Sequence, residues 1–185
     1  MTKKLAVLAS GKGSLFEAIV EDGLPIELMV ADRKCRALDI AKAANIPHVL
    51  KSRTFGKEFD RKKYTSEMLT LLREHNIDLV AMAGFMTVFS PLMFEEGAYQ
   101  SKILNTHPSL LPAFTGAHAV QDAIEYGVKV SGCTIHWATK DLDAGPILLQ
   151  CAVSVEPDDT AETLHERIKK VERQSYPPLL WELIK

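Results

Sequence analysis

Two short segments hold the residue types from which an acyl-transfer site could be built: Asn105-Thr-His-Pro-Ser-Leu-Leu-Pro112 and Asp141-Leu-Asp-Ala-Gly-Pro146. Asn105 and His107 are two residues apart, so in extended backbone both side chains leave the same face of the chain. Pro108 cannot donate a ladder hydrogen bond, which places both residues on a loop after a short strand. An amide can hold a developing oxyanion, an imidazole can transfer protons and a carboxylate can stabilise the imidazolium. The pattern therefore suggests acyl-type transfer.

The same residues also have an explanation without catalysis. Asn-x-His-Pro suits a turn with a hydrogen-bonded imidazole, and Asp-x-Asp-x-Gly-Pro is a favourable loop sequence by turn chemistry alone. The residue types by themselves leave both explanations open, so the rest of the chain has to decide.

The composition restricts the class of protein. A chain of 185 residues, 46% hydrophobic and 25% charged, is typical of one globular domain with a sizeable core. No apolar run could span a bilayer, and the run after Lys3-Lys4 is shorter than the core of a secretory signal. A net charge of −2 without a basic block argues against a nucleic-acid partner. Three cysteines without metal-ligand spacing predict reduced thiols in a cytoplasmic protein.

Apolar runs of strand length alternate with helical patterns through the first half of the chain. Strands are predicted at Leu5–Ala9, Ile26–Ala31, Val49–Leu50, Asp78–Ala83 and Ile103–Leu104, and helices at Leu15–Glu21, Cys35–Ala44, Lys57–Glu74 and, briefly, after Ser90-Pro91. The second half predicts a helix at Ala117–Tyr126, strands at Lys129–Ala138 and Ile147–Val155, and a helix at Thr160–Lys185 that Pro177-Pro178 should break or bend. The expected fold is α/β: an open, mostly parallel twisted sheet with helices on both faces and antiparallel strands added in the C-terminal half.

The turn Ser10-Gly-Lys-Gly-Ser14 lies between the first strand and the first helix. Its glycines let backbone N–H groups approach an anion, and the following helix N-terminus favours negative charge, so it is a candidate phosphate site. Phe16 stands where a dinucleotide fingerprint has its third glycine, and a plain βα turn is the alternative. Ligands of open parallel sheets lie beyond the carboxyl ends of the strands, so this turn, Met86 and Asn105–His107 should converge there.

The other histidines are expected to play smaller parts. His118 and His136 flank the presumed site in the sequence and are expected to support it rather than to react. No histidine pair shares a helix face with a carboxylate at metal-ligand spacing, so no metal is expected.

Taken together, the motifs resemble those of the formyltransferase family that uses 10-formyltetrahydrofolate, from Leu5 to about Pro177. The motifs that carry this resemblance are Ser10–Ser14, Ala83-Gly-Phe-Met86 with Ser90-Pro91, Asn105–Pro112, Gly116-x-His118 and Leu142-Asp-x-Gly-Pro146. The glycine turn and the short length are most similar to the branch that formylates glycinamide ribonucleotide in purine synthesis. The resemblance implies one formyltransferase domain over 1–185, with a phosphate-binding half at about 1–100 and a folate-binding, catalytic half at about 101–185. It also implies small-molecule substrates, with 10-formyltetrahydrofolate as donor, and a monomer or homodimer.

The resemblance also implies roles for individual residues. The implied catalytic trio is Asn105, His107 and Asp143; the ribonucleotide site is Gly11, Lys12, Gly13, Ser14, Leu15 and Glu172, with Glu172 at the glycinamide end. The implied folate site is Arg61, Met86, Thr87, Val88, Phe89, Asn105, Ala138, Thr139, Lys140 and Asp141, with Arg61 at its mouth. The segments Met86–Phe89 and Ala138–Asp143 are implied as its walls. Leu15 replaces a usual Asn beside the phosphate, where Lys12 offers a cation instead, and Thr87 replaces a common Arg.

Three other functions stay open at this point. A formyltetrahydrofolate deformylase has the same trio but transfers the formyl group to water; its usual N-terminal regulatory domain is not expected here, because Met1 lies only a few residues before the first strand. A methionyl-tRNA formyltransferase is disfavoured because no basic C-terminal domain is expected. A non-catalytic folate- or nucleotide-binding module would keep the pocket, and the departures at Leu15 and Thr87 are compatible with it.

Overall fold

One seven-stranded sheet forms the centre of the computed structural model, which describes residues 2–54 and 56–185. The strands are β1 Leu5–Ala9, β2 Ile26–Ala31, β3 His48–Leu50, β4 Leu79–Met82, β5 Ile103–His107, β6 Val130–Trp137 and β7 Ile147–Ser154. Their order is β3-β2-β1-β4-β5-β6-β7. The pairs from β3 to β5 are parallel, whereas β5–β6 and β6–β7 are antiparallel. The expected α/β fold with antiparallel strands in the C-terminal half is confirmed.

Helices cover both faces of this sheet. They are α1 Ser14–Glu21, α2 Arg36–Ala43, α3 Arg61–Glu74, α4 Ala119–Tyr126 and α5 Ala161–Ile184, with a short 3₁₀ helix at Pro91–Phe94. Alternate residues of β1 enter different cores: Leu5 and Val7 pack with α1, α2 and α5, while Leu8 packs with α3 and the 3₁₀ helix. We call these sides the α5 face and the α3 face. Because central strands are buried on both faces, β1 is apolar throughout, as in other parallel sheets.

Two helices differ from the prediction by more than two residues or in continuity. Helix α3 begins at Arg61 instead of Lys57, because the Asp60 side chain accepts the backbone N–H of Lys63 and caps the helix there. Helix α5 runs without interruption through Pro177-Pro178, so the predicted break is wrong. Buried residues on both sides of the prolines, Tyr176, Leu180 and Ile184, pack into one core on the α5 face. We infer that this packing outweighs the missing backbone donors. None of the helices in the described residues is long and apolar enough to cross a membrane.

The strand order reverses between β1 and β4. The segments that follow their carboxyl ends therefore lead to opposite faces of the sheet, to α1 on the α5 face and to the 3₁₀ helix on the α3 face. In open α/β sheets this divergence opens a crevice where ligands bind. The turn after β1, the loop after β4 and the end of β5 all lie at this edge. The predicted convergence of these three segments at one edge therefore agrees with the sheet topology.

Candidate active site

The strand β5 itself carries two of the trio. Asn105 and His107 belong to β5, so their predicted placement on a loop is wrong. The antiparallel strand β6 extends the ladder to the end of β5, pairing Asn105 with His136 and His107 with Thr134. A partner strand this distant in sequence cannot be read from local patterns. The predicted common face for Asn105 and His107 follows from the strand geometry.

Asp143 reaches this strand end from the loop between β6 and β7. Its Oδ2 lies 3.5 Å from Nδ1 of His107 and accepts the backbone N–H of Gly116 at 2.8 Å. Asp143 has a positive φ of 53°, a costly conformation for a residue other than glycine and one that occurs often at functional sites. At the base of the loop, Gly145 passes so close to Trp137 that an added Cβ would lie 1.7 Å from its carbonyl oxygen. The glycine of the Asp-x-Gly-Pro motif is therefore required by this contact.

The partners of His107 indicate where its protons lie. Its Nε2 is 2.8 Å from the carbonyl oxygen of Phe114, which can only accept, so Nε2 carries a proton. Its Nδ1 faces the Asp143 carboxylate and gains a proton only in the imidazolium form. Both side chains are nearly buried, with 6% and 4% of their surface exposed. The carboxylate is thus placed to stabilise a positive charge that develops on His107.

His136 holds the amide of Asn105. Its Nδ1 lies 3.0 Å from the carbonyl of Trp137 and donates to it, which leaves Nε2 to accept an N–H of Asn105 at 3.2 Å. Burial lowers the pKa of His136, although the Trp137 hydrogen bond and Asp143 oppose this effect, so the neutral ring that accepts is favoured. With one amide proton so engaged, the second N–H of Asn105 stays available to a substrate oxygen.

The loop after β4 alternates between inward and outward side chains. Met86 and Val88 are 61% and 48% exposed, whereas Thr87 and Phe89 are buried. Phe89 stacks on Phe85 at 5.6 Å between ring centroids. Of the four predicted folate contacts here, only Met86 and Val88 thus present their side chains to solvent, and Thr87 and Phe89 could contact a ligand only through the backbone.

The loop after β6 holds the remaining residues predicted to bind folate. Ala138 is buried in the core of the α3 face, while Lys140 and Asp141 are exposed and the Thr139 hydroxyl donates to the backbone carbonyl of Asp141. Leu142, which belongs to the Leu-Asp-x-Gly-Pro motif and to the segment Ala138–Asp143 expected to wall the folate pocket, is exposed.

The turn predicted to bind phosphate, Ser10–Ser14, is here called the phosphate turn, and Gly13 lies at its end. This residue has a φ of 73° and precedes α1, whose N-terminus receives no side-chain cap from the described residues. Gly11 and Lys12 are exposed and Ser14 is half-buried. Leu15 is turned into the core of the α5 face, so only its backbone could contact a phosphate.

Glu172 is buried on the opposite side of β5 from the trio. Its Oε1 accepts the hydroxyl of Thr106 at 2.8 Å, and Thr106 lies between Asn105 and His107 with its side chain on the α5 face. Burial raises the pKa of Glu172, against the effect of the Thr106 hydrogen bond. The structure therefore places Glu172 on the side of α1 and the phosphate turn, away from the trio. Thr106 was missed, because nothing in the sequence links it to residue 172.

Two further predicted residues have exposed side chains. Arg61 is exposed at the start of α3, and His118 is exposed before α4. Among the described residues, neither side chain forms a hydrogen bond or ion pair with Asn105, His107 or Asp143. The part of the chain that the structure describes contains no group of three or more His, Cys, Asp or Glu side chains that could hold a metal ion.

The fold is that of a formyl transferase. The model of the formyl transferase family matches residues 3–180, and the chain belongs to that family. Phosphoribosylglycinamide formyltransferase of Bacillus subtilis is 38% identical over 195 residues, covering 98% of this chain and 95% of the relative. The enzyme of the same name from Mycobacterium tuberculosis H37Rv is 42% identical over 176 residues, covering 92% and 80%. The crystal structure of glycinamide ribonucleotide transformylase 1 from Geobacillus kaustophilus superposes with a TM-score of 0.90 at 38% identity and 100% coverage of both chains.

Proposed function

We propose that this chain transfers the formyl group of 10-formyltetrahydrofolate, the donor, to the amine of glycinamide ribonucleotide, giving formylglycinamide ribonucleotide and tetrahydrofolate. The observation that carries the proposal is the meeting of Asn105, His107 and Asp143 at the end of β5, with Asp143 3.5 Å from His107. The family and the names of the relatives support the same reaction.

The reaction needs charge stabilisation more than a covalent intermediate. The neutral amine attacks the formyl carbon, and the carbonyl oxygen becomes an oxyanion. We assign the second amide N–H of Asn105 to this oxygen as the hydrogen-bond donor. The imidazolium of His107, which Asp143 stabilises, supplies a positive charge at the same strand end. Collapse then breaks the bond to N10 of the folate, and the proton lost by the amine goes to that nitrogen. One well-aimed oxyanion donor contributes about 3–4 kcal/mol to such a transition state.

The two substrates reach β5 from different faces in this proposal. The donor lies on the α3 face, where the exposed apolar side chains of Met86, Val88 and Leu142 suit a flat aromatic ring system. The phosphate of the ribonucleotide lies at the turn of Gly13 and Ser14 on the α5 face, with Glu172 beside the same molecule. The residue between them is Thr106, so the transfer takes place across the end of β5.

A transfer assay distinguishes this function from hydrolysis. The purified protein is incubated with 10-formyltetrahydrofolate, with and without glycinamide ribonucleotide, and tetrahydrofolate release is followed by absorbance. We expect release that depends on the ribonucleotide and proceeds without added metal or nucleoside triphosphate. Equal release without the ribonucleotide would establish a deformylase instead, and donor binding without any release would establish a non-catalytic module.

A further inference from the structure

A buried carboxylate at the carboxyl edge of the sheet connects loops from four neighbouring strands. Asp32 follows β2 directly and has no exposed surface. Arg33 donates to it from Nε at 2.9 Å and from Nη2 at 3.0 Å, and Nε of Arg53, after β3, lies 3.6 Å away. Thr87, after β4, donates its hydroxyl at 2.6 Å, and the hydroxyl of Ser10, after β1, contributes to lowering the pKa of the same carboxyl.

These donors keep the carboxylate charged although it is buried. Burial by itself would raise the pKa of Asp32, but hydrogen bonds from Arg33, Thr87 and Ser10 lower it below the usual value. A buried charge with this many donors is strongly tied to its partners, because the removal of one partner leaves the others unsatisfied. The loops that supply the donors are therefore fixed relative to β2.

The loop after β4, assigned to the formyl donor, forms hydrogen bonds at two successive residues. Thr87 is fixed by its hydroxyl on Asp32, and the backbone N–H of Met86 donates to Oγ of Ser10 at 2.8 Å. In an extended segment neighbouring side chains point to opposite sides, so turning Thr87 inward turns Met86 and Val88 outward. Ser10 is also the first residue of the phosphate turn. Its hydrogen bond with Met86 therefore joins the two loops that are assigned to the two substrates.

We propose that Asp32 is a positioning residue for the formyl-donor site, which it orders by holding Thr87 between Met86 and Val88. Thr87 stands where the family commonly has Arg, and here its hydroxyl faces inward instead of reaching toward a ligand. The inference rests on the proposed function, since the donor site is assigned there. Asp32 and Thr87 act on the donor through Met86 and Val88 and do not touch the reacting atoms.

The first test removes one hydroxyl without changing the shape of the side chain. Thr87→Val should weaken the binding of tetrahydrofolate, measured by calorimetry, and raise the KM for the donor, each about tenfold, while kcat and the ribonucleotide KM change by less than about threefold. Thr87→Ser keeps the hydroxyl and should restore donor affinity to within about threefold of wild type. Thr70→Val, on the exposed side of α3 where the hydroxyl contacts Ser66, is the matched control and should behave as wild type.

The second test asks whether Thr87 acts through Asp32. Thr87→Val should cost much less donor affinity in an Asp32→Asn background than alone, because the two changes remove the same interaction. If Asp32→Asn does not fold, the comparison of Thr87→Val with Thr87→Ser still decides.

Three outcomes would overturn the inference: unchanged tetrahydrofolate affinity in Thr87→Val, equal loss in Thr87→Ser, or strict additivity with Asp32→Asn. Failure of the proposed function looks different, because wild-type protein would then bind tetrahydrofolate without transferring formyl to the ribonucleotide.

Discussion

Replacing Asp143 by Asn tests the electrostatic part of the mechanism with almost no change of shape. Gly116 donates to Oδ2, so the oxygen of the new amide should stay at that position and beside His107. The amide nitrogen then takes the place of Oδ1, which lies 3.9 Å from Nε2 of His136 and forms no hydrogen bond with it. The variant therefore keeps the hydrogen bond from Gly116 and the shape of the side chain, and it loses the charge.

The size of the effect follows from the distance between the charges. A carboxylate oxygen 3.5 Å from Nδ1 of the His107 imidazolium contributes about 5 kcal/mol at an effective dielectric constant of about 20. Because each 1.36 kcal/mol corresponds to a factor of ten in rate, kcat should fall by about three powers of ten. The positive charge on His107 is required only as the reaction proceeds, so ribonucleotide binding should change little.

Steady-state release of tetrahydrofolate gives kcat, and calorimetry with glycinamide ribonucleotide gives the dissociation constant. Asp158→Asn makes the same charge change at an exposed site and serves as the control. A wild-type kcat in Asp143→Asn would remove the carboxylate from the mechanism. Weakened ribonucleotide binding that parallels the loss of rate would show a folding defect instead.

Three further variants test the charges around the two substrates. Lys12→Ala should raise the ribonucleotide KM by about fivefold, and more at low salt, with the donor KM unchanged. If the ribonucleotide KM of the variant equals that of wild type at all salt concentrations, Lys12 does not contact the phosphate. The lowered pKa of His136 means that its contribution to stability is complete above about pH 6.5 and is lost as the pH falls through the folded pKa. His136→Gln should therefore show a smaller drop in Tm than wild type between pH 8 and pH 5.5, and an equal drop would contradict the assignment. The raised pKa of Glu172 means that folding stability is lost as the pH rises through the pKa of the folded protein. Glu172→Gln should therefore have a higher Tm than wild type at pH 8, but not at pH 4.5. Its KM for the ribonucleotide should be higher than that of wild type. A Tm below that of wild type at pH 8 would show that the charge of Glu172 is compensated in the folded protein.

Local patterns were enough for most of the secondary structure. The strand Leu5–Ala9, the glycine turn and the helix after it were predicted to within one residue. Each has a signal in its own segment: a continuous apolar run, glycines that allow left-handed backbone, and helical spacing of apolar residues. Two of the failures were decided by residues distant in the sequence. The strand β5 extends to His107 because β6 pairs with it. Helix α5 continues through Pro177-Pro178, and the residues around the prolines pack into a core that other helices and strands also form.

The sequence by itself determined the chemical groups of this protein: an amide, an imidazole and a carboxylate in motifs that identify a formyltransferase, and strands whose carboxyl ends share one edge. Only the tertiary structure decided which groups meet. It set Asp143 against His107, placed Glu172 across β5 from both, turned Thr87 inward, and made Asp32 a contact of four loops. The charged pair Asp32-Arg33 directly after a buried strand was the one available signal. The physical reason is that the spacing of side chains determines a helix or strand and the face that it buries. A hydrogen bond or ion pair between distant residues depends instead on the strand order and the paths of the loops, which bring together residues as far apart as Ser10 and Met86.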